Sequence, residues 1–244
     1  MKKGILLLTV LALVLNVQAQ TKTTTVSKTN PSKTANTSKV VAAAPGMKTA
    51  KDSASYALGY RIAQSLKGQG LQDVNFEQFK KGMAAGTIAK AEIPDSLIDV
   101  CIKNYQDKMS QEKIALNRAE GKAFLAENAS KPGVVKMTNG MQYLVLTPGT
   151  GTEHPTLKSK VKCHYHGTLI NGTVFDSSVQ RGEPISFPLN GVIKGWQDAV
   201  QLMTVGAKWR LFIPSELAYG ERSAGPVIGP GSTLIFDVEL LGIE

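Results

Sequence analysis

Few residues in this chain have the types and the spacing of a familiar catalytic site. The histidines are His154, His164 and His166, and the last two stand two positions apart on a predicted strand, where they share a face. They could begin a metal site, for which no third ligand is suggested by spacing, or form a surface or hydrogen-bonded pair. The sequence therefore predicts no metal. Ser177 and Ser178 have no obvious base near them in sequence. The glycine-rich stretches match neither a phosphate loop nor a dinucleotide fingerprint, so the sequence predicts no cofactor either.

Aromatic side chains beside turns are the more distinctive feature of the chain. Judged by composition alone, aromatic residues in predicted strands indicate core packing. Their order and spacing carry further information once the surrounding elements are placed. The residues are Tyr165, Phe175, Trp196, Tyr219 and Phe236.

The second half of the chain has the pattern of short strands separated by glycine and proline. Asn171-Gly172 marks a hairpin turn. Antiparallel strands with one short helix predict an α+β domain over 132–244. The predicted strands are 141–146, 161–170, 173–175, 185–189, 208–214 and 232–242, and the short helix is 195–203.

The preceding segment, 51–131, has helical periodicity. Three helices are predicted, at about 53–66, from Asn75 onward, and from Pro94 to about Asn128. The third would be about 50 Å long, and its later part is mostly polar, so it is expected to be a stalk or a partner surface. The segment 128–133 is expected to act as a hinge.

The first two predicted helices are too short to form a good core with one end of the third. Two chains are therefore expected to pool their apolar faces in a symmetric homodimer, the alternative being a self-contained three-helix bundle in a monomer. Cys101, on the third helix, either stays a free thiol or pairs with its copy in a second chain. Cys163 alternates with Val161 and Tyr165 and is expected to face a core.

The first nineteen residues have the pattern of a secretory signal peptide. A basic start is followed by roughly a dozen apolar residues, fewer than a bilayer span needs, and cleavage after Ala19 would leave Gln20 first. The alternative is an uncleaved membrane anchor. The protein is therefore expected to be exported to the periplasm or outer envelope of a bacterium, with no stable membrane insertion after cleavage.

The positive charge of the chain is concentrated in one segment. The formal net charge is +9, and residues 20–50 hold five lysines and no acidic residue. This Thr-, Ser- and Lys-rich segment contains no aromatic residue and is expected to be a disordered linker. Because the charge is not clustered on a folded face, the sequence argues against nucleic-acid binding.

Four segments in order resemble the FKBP-type peptidyl-prolyl cis/trans isomerases. They are VKCHYHGTLINGTVFDSS, GVIKGWQDAV, IPSELAYG and STLIFDVELLGI, within about residues 138–244. The helical half, with SYALGYRIAQSLKGQG and NFEQFKKGM, resembles the dimerisation domain of the exported, macrophage-infectivity-potentiator-like bacterial members. The resemblance implies a curved antiparallel sheet wrapped around a short helix, with a pocket between them that binds proline-containing unfolded or partly folded chains and macrolide inhibitors.

The resemblance also implies roles for individual residues. Trp196 matches the pocket floor, and Asp176 and Arg181 match an acid and an arginine beside the pocket. Val192-Ile193 matches a pair whose second backbone N–H donates to a ligand carbonyl. The residues that match catalytic positions are Tyr165, Phe175, Asp176, Trp196, Tyr219 and Phe236, and those that match substrate-binding positions are Val192, Ile193, Arg181, Ile185 and Ile228.

Three positions depart from the family pattern at the rim of the pocket. Ile185 stands where many members have an aromatic residue, Ala224 where some have histidine, and Gly229 where proline is usual. These changes are expected to widen or loosen the rim and to alter macrolide affinity and the preferred residue before proline. An alternative to the enzyme is a dimeric chaperone or binding module with little isomerase activity.

Overall fold

The structure is a computed structural model that describes residues 43–71 and 73–244. The predicted signal peptide, 1–19, and most of the predicted linker, 20–50, lie outside these residues. No helix in the two described ranges combines the length and the hydropathy of a membrane-crossing segment.

The three predicted helices are confirmed, with small differences at their ends. Thr49 and Asp52 form a capping box at the start of the first helix, and the Asn75 side chain accepts backbone N–H bonds at the start of the second. The third helix is continuous over 34 residues because no proline interrupts it. The helices are α1 (Ala50–Gly68), α2 (Phe76–Thr87) and α3 (Asp95–Asn128).

The second half forms one antiparallel sheet with short helices, so the predicted α+β class is confirmed. The strand order is β1-β2-β6-β7-β3-β4, and β5 also pairs with β3. The core lies between the sheet and α5, which contributes Trp196, Ala199 and Val200. The elements are β1 (Val134–Lys136), β2 (Gln142–Thr147), β3 (Lys160–Leu169), β4 (Val174–Ser177), α4 (Ser178–Arg181), β5 (Ile185–Pro188), α5 (Lys194–Val200), β6 (Lys208–Ile213) and β7 (Leu234–Ile243).

Helices α1 and α2 expose their apolar residues in the single chain. Neither helix contains a buried residue, and Tyr56 and Phe76 are 64% and 69% exposed. Val100, near the start of α3, is also exposed. The alternative of a self-contained three-helix bundle is therefore wrong for this chain, since a bundle would bury one face of each helix.

The second half of α3 packs along the sheet domain, which contradicts the expected stalk. Ile114, Asn117, Arg118 and Gly121 follow the i, i+3, i+4, i+7 spacing of one helix face. Ile114 and Gly121 are buried. A Cβ atom at Gly121 would lie 2.2 Å from Thr233 Oγ1, so glycine permits the close approach.

The end of α3 is tied to the sheet, so the hinge expected at 128–133 is not supported at its first residue. Asn128 Nδ2 donates to Gln142 Oε1 over 2.9 Å, and Gln142 Nε2 donates to the Leu125 carbonyl over 2.7 Å. Both Asn128 and Gln142 are buried. The rings of Phe124 and Phe212 lie 6.0 Å apart. These contacts fix the last turns of the helix to β2 and β6.

Replacement of Asn128 by alanine tests whether this attachment stabilises the fold. The change leaves Gln142 Oε1 buried without its donor, which should lower the free energy of unfolding by about 1–2 kcal/mol. Asn104→Ala on the exposed part of the same helix is the matched control and should have little effect. Urea unfolding of both variants provides the measurement. Equal stability of the two variants would restore the hinge interpretation.

Candidate functional site

Four of the predicted aromatic residues form one cluster between α5 and the sheet. The ring of Trp196 lies 5.5 Å from that of Tyr165 and 5.2 Å from that of Phe236, with interplanar angles of 82° and 85°. Phe175 meets Phe236 at 5.3 Å and 81°. These edge-to-face contacts suit the quadrupoles of the rings and hold them at fixed angles. Trp196 and Phe236 are buried, while Tyr165 and Phe175 are half-buried.

The position of Trp196 depends on the glycine that precedes it. A Cβ atom at Gly195 would lie 2.5 Å from Ile213 Cγ2, so a larger residue would push α5 away from β6. The carbonyl of Ile193 accepts hydrogen bonds from the backbone N–H groups of Trp196 and Gln197, which begins the helix. The indole is thereby placed on the first turn of α5, facing the strands.

A second glycine leaves room for the walls of the cluster. Gly167 lies on β3, and a Cβ atom there would be 2.6 Å from Phe175 Cε2 and 2.9 Å from Phe236 Cε1. Both distances are shorter than ordinary carbon contacts. The two phenyl rings can therefore reach the cluster only because position 167 has no side chain.

The peptide unit between Val192 and Ile193 is held by a side chain of α5. Gln197 Nε2 donates to the Val192 carbonyl oxygen over 2.7 Å and contacts the Asn190 carbonyl at 3.3 Å. Because a peptide unit is planar, fixing its carbonyl also fixes the direction of the Ile193 N–H. Val192 and Ile193 are half-buried and pack against the same core as Trp196.

Tyr165, Asp176 and Arg181 form a hydrogen-bonded group at one side of the cluster. The Tyr165 hydroxyl and the Arg181 guanidinium each donate to Asp176, and Arg181 Nη2 also donates to the Tyr165 oxygen over 2.9 Å. Burial and then the bond to Asp176 raise the pKa of Tyr165. Burial alone would raise the pKa of Asp176, but the bonds from Tyr165 and Arg181 lower it below its ordinary value. Tyr165 therefore remains a neutral donor and Asp176 a carboxylate at neutral pH.

The other predicted residues lie at the edge of the cluster. Ile228 is buried against the core, whereas Tyr219 is 42% exposed and stands outside the packed residues. Ile185 is 41% exposed and lies opposite Cys163 on β3, so it is on the core side of the sheet. The structure thus gathers most of the predicted set and leaves Tyr219 and Ile185 at its rim.

Three residues that contribute to the cluster were not predicted from the sequence. The ring of Phe187 lies 5.5 Å from that of Trp196, and Gly167 and Gln197 have the roles described above. Phe187 lies two positions after Ile185 on the same predicted strand, so period-2 alternation would have placed both on one face. The Gln197 contact depends on the local backbone path before α5, which no sequence pattern specifies.

The histidines of β3 lie within hydrogen-bond distance of serine hydroxyls. His164 Nδ1 and His166 Nδ1 each lie 3.0 Å from a serine hydroxyl, of Ser178 and Ser177 respectively. The Ser178 hydroxyl is buried and accepts the Tyr165 backbone N–H over 2.7 Å, so it fixes β3. Over residues 43–71 and 73–244, no group of three or more His, Cys, Asp or Glu could hold a metal ion.

The two cysteines lie in different surroundings. Cys163 is buried, as predicted, and burial raises the pKa of its thiol to about 12, so it remains an uncharged core residue. Cys101 is exposed on α3. Neither thiol belongs to the aromatic cluster.

Gly167→Ala tests the packing requirement at the cluster. The added methyl group overlaps the rings of Phe175 and Phe236, and overpacking of this kind should lower the free energy of unfolding by about 1–3 kcal/mol. Gly242→Ala is the matched control, since Gly242 also lies on the sheet and a Cβ atom there meets nothing within 4 Å. Urea unfolding compares the two. If Gly167→Ala is no less stable than Gly242→Ala, the result would contradict the close contact between position 167 and the two phenyl rings.

Two family models match the chain. The model of the FKBP-type peptidyl-prolyl cis-trans isomerase matches residues 151–241, which include the cluster. The model of the domain amino terminal to FKBP-type peptidyl-prolyl isomerase matches residues 51–145, which include the three helices.

Individual proteins match over most of the chain. The FKBP-type 22 kDa peptidyl-prolyl cis-trans isomerase of Escherichia coli (strain K12) is 43% identical over 203 residues, which are 82% of this chain and 98% of that protein. Outer membrane protein MIP of Legionella longbeachae is 40% identical over 209 residues, which are 82% and 89% of the two chains.

The overall structure also has a solved counterpart. The crystal structure of FkpA from Escherichia coli matches with a TM-score of 0.62 and 34% identity, and covers 81% of this chain and 98% of that one. The similarity therefore extends over the helical part and the sheet together. The chain belongs to the FKBP-type peptidyl-prolyl cis-trans isomerases, and it is an enzyme of that class.

Proposed function

We propose that the aromatic cluster around Trp196 is the site at which this chain isomerises X–Pro bonds. The observation that carries the proposal is the buried indole with Tyr165 and Phe236 packed edge-on against it. A proline ring placed on the indole would be surrounded by apolar surface, with Phe175 and Ile228 as further walls. The substrates are proline-containing chains.

The chemistry requires no nucleophile. Rotation about the amide has a barrier of about 20 kcal/mol, and its transition state is a twisted amide that has lost resonance. The twisted carbonyl is less polar than the planar one, so an apolar pocket favours the transition state over the ground state. A thousandfold acceleration requires only about 4 kcal/mol of such differential binding.

Hydrogen-bond donors at the edge of the pocket would hold the flanking carbonyls while the amide turns. The Ile193 N–H is oriented by the Gln197 contact with Val192, and it is the proposed donor on one side. Exposed Tyr219 has its hydroxyl available at the rim, where it is the proposed donor on the other. Because the flanking carbonyls are already held, less conformational entropy is lost when the amide reaches its transition state.

Asp176 is proposed to act mainly by fixing Tyr165. Its carboxylate accepts hydrogen bonds from Tyr165 and Arg181, which occupy both of its oxygens. Arg181 also lies over the Tyr165 ring, at 5.6 Å from its centroid. The group therefore orients one wall of the pocket, and Arg181 acts at the edge of the site.

Substitution of Trp196 tests the assignment. Trp196→Leu removes the flat floor and should lower kcat/KM for cis-to-trans isomerisation of a short X–Pro peptide by about tenfold or more. Trp209→Leu is the matched control, because Trp209 is also buried in the sheet and stacks on Tyr143 at 4.3 Å. Tyr219→Phe is expected to cost less than Trp196→Leu. Equal kcat/KM values for the wild type, Trp196→Leu and Trp209→Leu would contradict the proposal.

The division of the chain into functional parts is also proposed. Residues 51–131 form the dimerisation part and 132–244 the isomerase part, although α3 physically joins the two. Support for the homodimer comes from the exposed apolar residues of α1 and α2, which two copies would cover. Sedimentation of the wild type and of Phe76→Asp distinguishes a homodimer from a monomer. A monomeric wild type would contradict this proposal.

A second candidate function is the binding of unfolded chains. A groove of about 1010 Å³ runs between the end of α1, the middle of α3 and loop 223–233, and Met109, Leu116 and Val227 are among its lining residues. Leu116 is 52% exposed within it. If the groove holds client chains, Leu116→Asp should weaken suppression of aggregation of a proline-free client and leave the X–Pro rate unchanged. Retained suppression would count against the groove.

The protein is further proposed to be exported and to assist folding of proteins in the bacterial envelope. Support comes from the predicted signal peptide, 1–19, and from similarity to a protein named for the outer membrane. Fractionation of cells that express the whole chain provides the test. Recovery only in the cytosol, at the unprocessed length, would contradict export.

A further inference from the structure

The loop between the 3₁₀ turn at Ser215–Leu217 and β7 forms part of the proposed isomerase site. We call residues 219–232 the rim segment. It carries Tyr219 and Ile228, which are proposed to meet the substrate, and Ala224, which packs beside the core. Its internal backbone bonds are few: Arg222 N–H donates to the Tyr219 carbonyl, Ala224 N–H donates to the Ile228 carbonyl, and Gly231 N–H donates to the Gly220 carbonyl. A segment with so few bonds of its own needs support from outside.

That support comes from the docked half of α3. Asn117 Nδ2 donates to the Pro230 carbonyl over 2.7 Å and lies 3.4 Å from Ser232 Oγ. Arg118 Nη1 donates to Glu221 Oε1 over 3.1 Å. These contacts join the helix to both ends of the loop that carries Ile228.

The backbone of the rim segment lies directly on the helix. A Cβ atom at Gly231 would be 2.9 Å from the Ile114 carbonyl oxygen, and Gly231 has φ +74, so both space and conformation require glycine. A Cβ atom at Gly229 would lie 3.3 Å from Asn117 Nδ2. Gly229, one of the three positions at which the chain departs from the family pattern, is thus a point of contact with the helix.

Of these contacts, the Asn117 bond is the best placed to control the pocket. It is part-buried, whereas the bond of Arg118 to Glu221 is exposed, and exposed ion pairs contribute little. Pro230 is two residues from Ile228, so a shift of the Pro230 carbonyl moves the wall that Ile228 forms. A part-buried carbonyl that loses its donor also becomes unsatisfied, which favours such a shift.

We propose that Asn117, on the docked half of α3, is a positioning residue for the isomerase site, because it fixes the rim segment that carries Ile228 and Tyr219. This inference rests on the proposed function of the aromatic pocket. It makes the long helix part of the enzyme: the helix that bears the exposed apolar surface also supports the wall of the site.

The test uses Asn117→Asp in the whole chain, with Asn104→Asp as its matched control. Aspartate has nearly the shape of asparagine but places an oxygen opposite the Pro230 carbonyl, so the bond becomes a repulsion. Asn104 is exposed on the same helix, and its change adds the same charge. Two quantities are measured: kcat/KM on an X–Pro peptide, and amide hydrogen exchange in 219–232 compared with β3 and β7.

Asn117→Asp should lower kcat/KM by about three- to tenfold, mainly through KM, and speed exchange in the rim segment alone. Asn104→Asp should change neither quantity. A general loss of stability would instead speed exchange in β3 and β7 as well, which would overturn a specific positioning role. Unchanged kcat/KM in Asn117→Asp, with or without faster exchange in the rim, would also overturn it. Failure of the proposed function is distinguishable, because the wild type itself would then not accelerate the reaction.

Discussion

The packing of Trp196 against three strands is the contact on which both the fold and the site depend. Its ring meets Tyr165 of β3, Phe187 of β5 and Phe236 of β7, so a single side chain joins the short helix to three of the seven strands. The indole N–H is buried and has no hydrogen-bond partner within the described residues. That burial costs about 1–3 kcal/mol, and three aromatic pairs at about 0.5–1.5 kcal/mol each offset it. The rings are thus held in place at the proposed site, where a bound proline ring would need an apolar surface.

This packing explains why glycine stands at two positions that do no chemistry. Gly195 lets α5 approach β6, and Gly167 lets two phenyl rings approach β3. Neither has a positive φ, so the requirement is space and not backbone conformation. An enzyme whose catalysis depends on a shaped apolar surface is sensitive to added volume, whereas one that uses a nucleophile is sensitive to the loss of a functional group.

Periodicity in the sequence predicted most of the elements, because most of the strands and helices have a local pattern, but it did not predict the short elements β1 and α4. The helix from Asp95 to Asn128 and the strands that carry Tyr165 and Phe236 are where the sequence placed them. The choice of pocket residues came from resemblance to a family, since composition alone favoured simple core packing. The structure brings Tyr165, Phe175, Trp196 and Phe236 together, but their roles in catalysis remain proposals.

The features that the sequence predicted wrongly, or did not predict, have a common physical cause. The second half of α3 was expected to be a stalk or a partner surface because its residues are mostly polar, yet Asn117, Arg118 and Asn128 face the sheet domain. Polar side chains form good interfaces when each finds a partner, and the partners here are carbonyls and side chains more than ten residues away. No local pattern records such pairings. For the same reason, the role of Gln197 at the Val192 carbonyl was not predictable from spacing.

The continuity of α3 has a consequence for how the two parts of the chain work together. Its first half carries apolar residues that a second copy would cover, and its second half is fixed to the sheet by Asn128 and to the loop beside the pocket by Asn117. An uninterrupted helix transmits orientation because its backbone bonds run along its whole length. Pairing through the first half would therefore set the direction in which each pocket faces, since the described contacts leave no free joint between the exposed half of the helix and the sheet. In the proposed homodimer, a client chain long enough to reach both pockets would meet two sites in a fixed relation, which would raise the effective concentration of its prolines at the second site once the first is occupied.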